Sequence, residues 1–559
     1  MLVTCFLLLT YYPTLFSPLN SIDDVPMISY LLNVDTINLQ QMFFPQGSGQ
    51  YYRPLLYLTF LFDKFLWGLQ ESFMHLENIL LHVGSGLLVF AICRQIVQML
   101  QLPAPWLPLV AGLLFGLHPI ATEPVNWVSG RTDVLAGFFV LASLLLFLKS
   151  LDRQRIWLGC VGALLLLAGC LSKETALFIL PLLLVWCLLP PRDLTPVAPT
   201  RLRVALFSAY LLAGLCYLAM RWSALSGGDK IVSTATTATA STGEAFSLWD
   251  LLRVGLKTTG FYLKKLLMPL PLNFGIVEIS PLYLWLGLAA CIGLLYCLYL
   301  RTTVAYLLLA AFCLVSPALI LPLLKITWTP VAERYAYIAS APFVLALLLL
   351  FVRYLQPRVS PRLITFGTFL LLAGAATATA QRNLVWQDNL TLFEDTVRKS
   401  PTFAAAKNEL AIALNERGRT EEAHALLLAN SGDDYQPSTL NKVRVYIQQS
   451  KLEQAHALLL QYQQKTVTRE SLELQNKLNE ARLKQAQPEQ QQAIWAEMLA
   501  TLQQLQQMTN DPFYHYRIGQ VQLRLGQKAA AKASFAKAHQ GSPPNSHYRE
   551  AARKLAERL

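Results

Sequence analysis

Two adjacent carboxylates near the start of the chain, Asp23 and Asp24, are the first residues with catalytic potential. They come shortly after an apolar stretch that covers residues 2–17. Paired carboxylates can act as a general base toward an attacking hydroxyl group, or they can bind a hard divalent cation through oxygen. Two consecutive acidic residues are common in loops, so the pair depends on its surroundings for any functional meaning.

Cations and histidines flank other apolar stretches. Arg53 suits a phosphate group by its charge and forked geometry, although an arginine there can also be an interfacial anchor. His75, Asn78 and His82 follow i, i+3 and i+7 spacing and therefore share one helix face. That face either lines a polar cavity or forms interhelical hydrogen bonds, and we favour the hydrogen bonds.

A compact polar segment runs from His118 to Asp133 and includes Glu123, Trp127 and Arg131. Ionisable residues close to a membrane are costly, which makes them functional candidates. Two further charged pairs complete the set, and they are Lys173-Glu174 and Glu333-Arg334.

Apolar helices must position these groups. Of the 559 residues, 54% are apolar and 14% are charged, whereas soluble domains contain about 25% charged residues. Crossing about 30 Å of hydrocarbon takes roughly 20 apolar residues, and fewer suffice in a tight bundle. About eleven stretches qualify: 2–17, 75–98, 105–118, 133–149, 156–172, 175–190, 204–220, 281–300, 303–324, 335–353 and 363–380.

The distribution of basic residues predicts the orientation of these spans. Alternate loops are basic and are expected to face inward, namely those near 94, 149–155, 192–203, 301 and 353–362. The remaining loops then face outward: 18–74, 118–132, 173–174, 221–280 and 325–334. All the candidate groups and the C-terminal region lie on that outer side.

Residues 248–270 mix apolar residues with Arg253, Lys257, Lys264 and Lys265. We interpret this segment as an amphipathic interfacial helix, because lysines at the middle of a lipid-facing span are costly. We expect the first apolar segment to be a retained span and not a cleaved signal peptide, because it lacks a basic start.

The net charge of +12 is explained by the orienting loops, and no basic run with interleaved aromatics indicates a nucleic-acid partner. The nine cysteines lie in or beside apolar segments without a CxxC pair. They therefore indicate neither a zinc site nor a disulfide framework.

Residues 381–559 form a second predicted domain that is rich in Gln, Ala, Lys and Glu. Asp511 to Pro544 fits one 34-residue tetratricopeptide repeat, with its small, aromatic and helix-ending positions at Gly519, Ala531, Phe535, Ala538 and Pro543. Residues 421–428 (EEAHALLL) recur 32 residues later as EQAHALLL. The pattern predicts an α-solenoid that binds a protein or an extended peptide, or that is a structural cap on the membrane domain.

The ordered motifs resemble those of the transmembrane and tetratricopeptide repeat-containing O-mannosyltransferases, within the GT-C glycosyltransferase superfamily. The matching segments are Asp23-Asp24, YRPL at 52–55, HxxNxxxH at 75–82, LHPIATEPVNWVSGRTDVL at 117–135, LSKET at 171–175, YLKKLLMPLPLNF at 262–274, ERYAYIAS at 333–340 and WxD at 386–388.

This resemblance implies an all-α GT-C bundle at 1–380, a repeat solenoid at 381–559, and a polyprenyl-phosphate sugar donor. It implies transfer to a Ser/Thr hydroxyl of a protein bound by the repeats, with inversion at the anomeric carbon. Asp24 or Asp23 would take the hydroxyl proton, and Glu123 would orient donor or acceptor. Cations for the donor phosphate would come from Arg53, Arg131, Lys173 and Arg334. Further pocket residues would be His75, Asn78, His118, Glu174 and Glu333.

Several alternatives stay open at this stage. A divalent cation at Asp23 and Asp24 is one, and no other cofactor is expected. Sugar transfer to a lipid or glycan and a non-enzymatic membrane scaffold are competing functions. The short chain is typical of a bacterial member, which implies the inner membrane with a periplasmic C-terminal domain. The alternative is the endoplasmic reticulum membrane with a lumenal one.

Overall fold

The protein is mainly helical in the part that the structure, a computed structural model, describes. The described residues are 1–32, 34, 36–45, 51–194, 197–225, 247–324, 329–429, 436–543 and 546–559. Within them there is no strand, and one isolated antiparallel bridge joins Ile276 to Val331. Parts of the predicted outer loops 18–74, 221–280 and 325–334, and Pro544 of the predicted repeat, lie outside the described residues.

The chain forms two compact units, Met1–Pro401 and Thr402–Leu559. The helices of the first unit are α1 (Leu2–Tyr11), α2 (Asp24–Leu32), α3 (Leu39–Phe43), α4 (Pro54–Phe62), α5 (Glu71–Met99), α6 (Leu107–Gly116), α7 (Thr122–Asn126), α8 (Arg131–Arg153), α9 (Ile156–Ser172), α10 (Leu180–Leu188), α11 (Thr200–Leu225), α12 (Leu248–Leu267), α13 (Tyr283–Leu300), α14 (Thr303–Val315), α15 (Leu321–Leu324), α16 (Tyr337–Leu350), α17 (Pro361–Val385) and α18 (Asn389–Lys399).

Short turns of 3₁₀- or π-helix extend or connect several of these helices. They lie at Tyr12–Phe16, Asp63–Trp67, Pro119–Ala121, Val128–Gly130, Glu174–Ile179, Ser316–Leu319, Glu333–Ala336, Phe351–Leu355 and Gln356–Arg358.

Each of the eleven predicted spans coincides with an apolar helical segment among the described residues. Seven segments are long and apolar enough to cross a membrane: Glu71–Met99, Val128–Arg153, Thr200–Ala224, Tyr283–Leu300, Thr303–Leu323, Glu333–Arg358 and Pro361–Val385. Four are shorter: Leu2–Phe16, Leu107–Gly116, Ile156–Ser172 and Glu174–Leu188. The predicted fold class, a helical membrane bundle followed by a helical C-terminal region, is confirmed.

The second unit is also helical. Its helices are α19 (Ala404–Glu416), α20 (Thr420–Ala429), α21 (Gln436–Gln448), α22 (Leu452–Lys465), α23 (Arg469–Gln485), α24 (Pro488–Thr509), α25 (Pro512–Arg524), α26 (Lys528–Gly541) and α27 (Arg549–Arg558). Phe535 is fully buried, and a methyl group added at Gly519 would meet its ring at 2.7 Å. Glycine therefore allows the close contact between α25 and α26 that the repeat pattern requires.

The division between the units lies after residue 401, beyond the boundary at 380 that the hydropathy predicts. Helix α17 continues through residue 380 to Val385, and α18 packs with the first unit. Hydropathy shows only where the apolar sequence ends. Helix α18 is amphipathic, so hydropathy does not assign it to the first unit, but it buries Leu392 and Phe393.

The amphipathic helix α12 packs against α13 through two facing glycines. A Cβ at Gly260 would lie 1.9 Å from the carbonyl oxygen of Tyr283, and one at Gly287 would lie 1.8 Å from that of Leu256. Leu248 and Trp249 at its start are exposed, as are most α13 side chains. The glycines therefore set how closely α12 approaches the membrane bundle.

We predict that Gly260→Ala lowers the thermal stability of the purified protein, because overpacking typically costs about 1–3 kcal/mol. Gly255→Ala on the same helix is the matched control, since no atom lies within 4 Å of its added methyl group. Alanine in place of glycine should there add up to about 1 kcal/mol of helix propensity. Thermal unfolding in detergent measures both, and equal melting temperatures would contradict the close contact.

Candidate functional site

Glu123 and Arg334 form a buried, two-point ion pair between segments far apart in the sequence. Glu123 lies in the first turn of α7, and Arg334 lies in the turn that leads into α16. The Arg334 backbone N–H donates to Oε2 at 3.0 Å, and its Nη1 donates to Oε1 at 2.5 Å. The guanidinium carbon lies 5.0 Å from the centre of the Trp127 ring and 4.8 Å from that of Tyr335. The contacts hold the guanidinium in one orientation.

Two further pairs join the remaining predicted segments. Lys173 Nζ donates to Asp133 Oδ1 at 2.6 Å and lies 5.5 Å from the centre of the Tyr335 ring. Arg53 forms a forked pair with Glu174, with distances of 3.0 and 2.6 Å. Lys173 and Glu174 are neighbours after the end of α9, so their partners, Arg53 directly before α4 and Asp133 on α8, meet at this point.

Lys265 on α12 is a member of the cluster that the sequence analysis did not place in the site. It forms a buried ion pair with Glu333, whose Oε1 also accepts the backbone N–H of Asn273 at 3.1 Å. Lys265 Nζ also donates to the carbonyl of Pro269 at 3.1 Å. A signal for it existed in the YLKKLLMPLPLNF motif, but the lysine was interpreted as interfacial.

The two candidate acids, Asp23 and Asp24, differ sharply in environment. Asp24 is 1% exposed at the start of α2. Its Oδ2 accepts the backbone N–H of Asn20 at 2.9 Å, and its Oδ1 accepts the Ser129 N–H at 2.8 Å and hydroxyl at 2.5 Å. Burial raises the pKa of Asp24 to about 6, although these hydrogen bonds act to lower it. Asp24 therefore joins the start of α2 to the 128–130 turn.

Asp23 is exposed. Partial loss of solvent raises the pKa of its carboxyl, while the charges of Arg334 and Arg53 lower it. Both guanidinium groups thus lie within electrostatic range of Asp23. Of the two carboxylates, that of Asp23 is the accessible one.

Arg131, a predicted phosphate ligand, is instead completely buried. Its Nη1 donates to Asp63 Oδ2 at 2.6 Å, its Nε donates to Asn78 Oδ1 at 3.0 Å, and its Nη2 donates to the Met74 carbonyl at 3.0 Å. The guanidinium carbon also lies 4.6 Å from the centre of the Phe60 ring. The prediction for Arg131 therefore needs correction. Its guanidinium donates to residues of α5 and to Asp63 in the turn after α4, and it is not directed at an open site.

The predicted pocket residues on α5 are also buried within the bundle. Asn78 Nδ2 donates to the carbonyl of Trp127 at 2.9 Å. The ring nitrogens of His82 contact the Tyr337 hydroxyl and the Gly116 carbonyl, each at 2.9 Å. His75 is fully buried on the same helix. The face forms interhelical contacts, so His75 and Asn78 do not line an open pocket.

His118 connects two backbone segments. Its Nδ1 accepts the Ile120 N–H at 3.3 Å, so its Nε2 carries the proton and donates to the Leu266 carbonyl at 3.3 Å. Burial lowers the pKa of His118 to about 4, so the ring is neutral at pH 7. The predicted pocket role is thus replaced by a link between the 118–121 turn and the end of α12.

Among the described residues, no group of three or more His, Cys, Asp or Glu side chains is arranged to hold a metal ion. The predicted cation site contributes two carboxylates, and the hydrogen bonds of Asp24 occupy both of its oxygens. A divalent cation at Asp23 and Asp24 stays a prediction.

An apolar groove begins beside the ion pairs, and we call it the Tyr262 groove. Its volume is about 260 Å³, and it lies between α12, α13, α14 and α16. Its lining includes Tyr262, Leu266, Leu294, Phe312 and Phe343. Tyr262 donates its hydroxyl to the carbonyl of Ala332 at 3.2 Å, directly before Glu333 and Arg334. The groove therefore starts next to the paired charges and continues among the apolar helices.

The fold and site define a polytopic helical membrane protein with a cluster of paired charges at its helix ends. No protein-family model and no solved structure matches the chain significantly. Curated relatives do match. Protein O-mannosyl-transferase Tmtc3 of Drosophila melanogaster is 34% identical over 175 residues, which are 27% of this chain and 19% of the relative.

Two further relatives are also named protein O-mannosyl-transferases. Human TMTC1 is 39% identical over 115 residues, covering 21% of this chain and 12% of the relative. Drosophila Tmtc2 is 33% identical over 241 residues, covering 41% and 24%. The matched segments span less than a quarter of each of these relatives. The chain is similar to the TMTC protein O-mannosyl-transferases, and the resemblance predicted from its motifs is confirmed.

We predict that Arg131→Gln acts through stability. Removing one partner of a buried ion pair costs about 3–5 kcal/mol, because the other charge stays buried. The melting temperature in detergent should fall clearly, and Asp63→Asn added to Arg131→Gln should recover part of the loss. Arg53→Gln is the comparison, since its pair with Glu174 is 22% exposed and should cost less. An unchanged melting temperature together with lost donor binding would restore the phosphate role.

Proposed function

We propose that the chain is a GT-C membrane glycosyltransferase that moves a sugar from a polyprenyl-phosphate donor to a Ser/Thr hydroxyl of a protein. The names of the relatives, protein O-mannosyl-transferases, support protein O-glycosylation. The observation that supports it most is the accessible carboxylate of Asp23, within electrostatic range of Arg53 and Arg334.

Asp23 is the favoured general base because the nearby acids have other partners. Glu123, Asp133, Glu174 and Glu333 each form an ion pair with a cation of the cluster. A paired carboxylate is a weaker proton acceptor than an unneutralised one of raised pKa.

Transfer then takes place in a single displacement. The carboxylate of Asp23 accepts the proton of the Ser/Thr hydroxyl, and the hydroxyl oxygen forms a bond to the anomeric carbon. The bond from that carbon to the phosphate oxygen breaks, and its electron pair leaves with the polyprenyl phosphate. A single displacement inverts the anomeric centre.

The leaving phosphate gains negative charge as that bond breaks. Three cations can stabilise this charge. Arg334 and Lys173 lie over the ring of Tyr335, and Arg53 lies over that of Tyr51. Their carboxylate partners hold them in place before the donor arrives, which reduces the reorganisation that transfer requires.

The Tyr262 groove supports a donor with a long hydrocarbon tail. Apolar side chains line it, and it starts at the residue before Glu333 and Arg334. An isoprenoid chain lying there would leave its phosphate at the cation cluster. The structure thereby favours a lipid-linked donor over a soluble nucleotide sugar.

The acceptor and the membrane are the remaining parts of the proposal. The helical pairs of the second unit would bind the acceptor polypeptide, since stacked pairs form extended binding surfaces. The basic loops would face the cytoplasm. The site and second unit would then face the periplasm in a bacterium, or the lumen of the endoplasmic reticulum.

We predict that Asp23→Asn reduces transfer about 100-fold or more, with unchanged thermal stability, because general-base catalysis contributes about 10²–10⁴-fold. The measurement is mass spectrometry of glycans on outer-face proteins from cells in which each variant replaces the native chain. Asp24→Asn is the matched control. It should lower the melting temperature, since it weakens the hydrogen bonds to Asn20 and Ser129. Normal glycosylation with Asp23→Asn would exclude Asp23 as the base.

We also predict a shift in the pH dependence of transfer. The base must be ionised, so the rate falls as the pH drops through the pKa of Asp23. Arg53 lowers that pKa, so Arg53→Gln should raise it further and move the acid limb to higher pH. Initial rates with polyprenyl-phosphate mannose and a Ser/Thr peptide give the profile. Arg94→Gln, an exposed arginine on α5, should leave the limb in place. A shift to lower pH would contradict the assignment.

A further inference from the structure

A second groove lies at the opposite end of α16 from Arg334. This α6–α17 groove is lined by Trp106 directly before α6 and Val110 within it, by Gln356 and Val359 after α16, and by α17 residues that include Thr368 and Phe369. Its volume is about 500 Å³. It is separate from the Tyr262 groove and shares no residue with it.

The wall of the groove contributed by α17 is open to the surroundings. Phe369, which lines the groove, is 66% exposed, and Leu363 and Phe366 elsewhere on α17 are 60% and 59% exposed. In a membrane these side chains face hydrocarbon, and the groove between Phe369 and Trp106 must also be filled by apolar chains. An acyl chain has the length and flexibility that this space requires.

The segment around the lining residues Val359 and Pro361 is strongly basic. Arg358 and Arg362 are exposed and stand on either side of the start of α17. Residues 351–372 contain no acidic residue. Arg353 lies 3.6 Å from Asp193, so its charge is partly balanced. The charges of Arg358 and Arg362 therefore favour an anionic group at this segment.

The N-terminus of α17 adds to this preference. The helix is 25 residues long and starts at Pro361, after Ser360 as its cap. The Ser360 hydroxyl accepts the Leu363 N–H at 3.4 Å, a long hydrogen bond. The partial positive charge of a helix start stabilises a phosphate placed there.

A polar atom in the groove also needs a ligand. Oε1 of Gln356 is buried and, within the described part of the chain, has no hydrogen-bond partner. An unsatisfied buried acceptor is destabilising, so a donor at this point would be favourable. A hydroxyl group can donate to it, whereas a second phosphate oxygen cannot.

We infer that the α6–α17 groove binds an anionic glycerophospholipid with a hydroxylated head group, such as phosphatidylglycerol. One acyl chain lies against Trp106, Thr368 and Phe369. The phosphate lies at Arg358, Arg362 and the start of α17, and a head-group hydroxyl donates to Gln356. Basic pockets between spans bind anionic lipids in this way on the cytoplasmic side.

The test is native mass spectrometry of the full chain in detergent with equal amounts of phosphatidylglycerol and phosphatidylcholine. The intact protein should retain phosphatidylglycerol preferentially. Arg358→Gln and Arg362→Gln should each reduce that preference about fivefold. Thr368→Trp fills the groove and should reduce retention of the bound lipid. Arg192→Gln with Arg201→Gln removes two other exposed arginines and should change nothing.

Thermal unfolding of each variant in the absence of lipid separates loss of binding from loss of folding. Equal retention of both lipids, or retention that all the groove variants leave unchanged, would overturn the proposal. Glycerol 3-phosphate is the soluble probe, and it should not raise the melting temperature. If it stabilises the protein as well as phosphatidylglycerol does, the basic cluster is a simple anion site and the lipid assignment fails. Sugar transfer is not part of the readout, so the result is independent of the proposed function.

Discussion

The end of the bundle that contains Glu123 and Arg334 depends on mutual neutralisation of charges that would otherwise be expensive near a membrane. Four cations, Arg53, Lys173, Lys265 and Arg334, each pair with a carboxylate on another segment. Arg53 and Glu174 are 121 residues apart, and Glu123 and Arg334 are 211 apart. Removing one partner leaves a charge without compensation, so these pairs determine how α4, α7, α9, α12 and α16 meet.

The same pairing decides which groups are available for chemistry. Asp23 stays accessible and is influenced by two guanidinium groups, whereas its neighbour Asp24 is used to hold the 128–130 turn. Arg131 has the residue type of a phosphate ligand, but its guanidinium is fully buried and pairs with Asp63 and Glu77. Residue type alone does not separate a cation that binds substrate from one that supports the site.

The two grooves lie at opposite ends of α16, and both arise where neighbouring helices separate. Near the ion pairs, the Gly260–Gly287 contact brings α12 against α13 and leaves the Tyr262 groove between them and α14. At the other end, α17 separates from α6 beside a basic turn. Each groove combines an apolar wall with cations at one end, which is the arrangement that a lipid with a phosphate head group requires.

Hydropathy and short motifs were enough to predict the apolar helices, the helical C-terminal region and the resemblance to the O-mannosyltransferases. These are local properties of the chain, so they do not depend on which segments are in contact. The three-dimensional contacts were needed to place Lys265 with the paired charges, to show that Arg131 and His118 connect neighbouring segments, and to assign α18 to the first unit. Burial and pairing depend on segments that are distant in the chain, and no local pattern specifies which of several similar charges will meet.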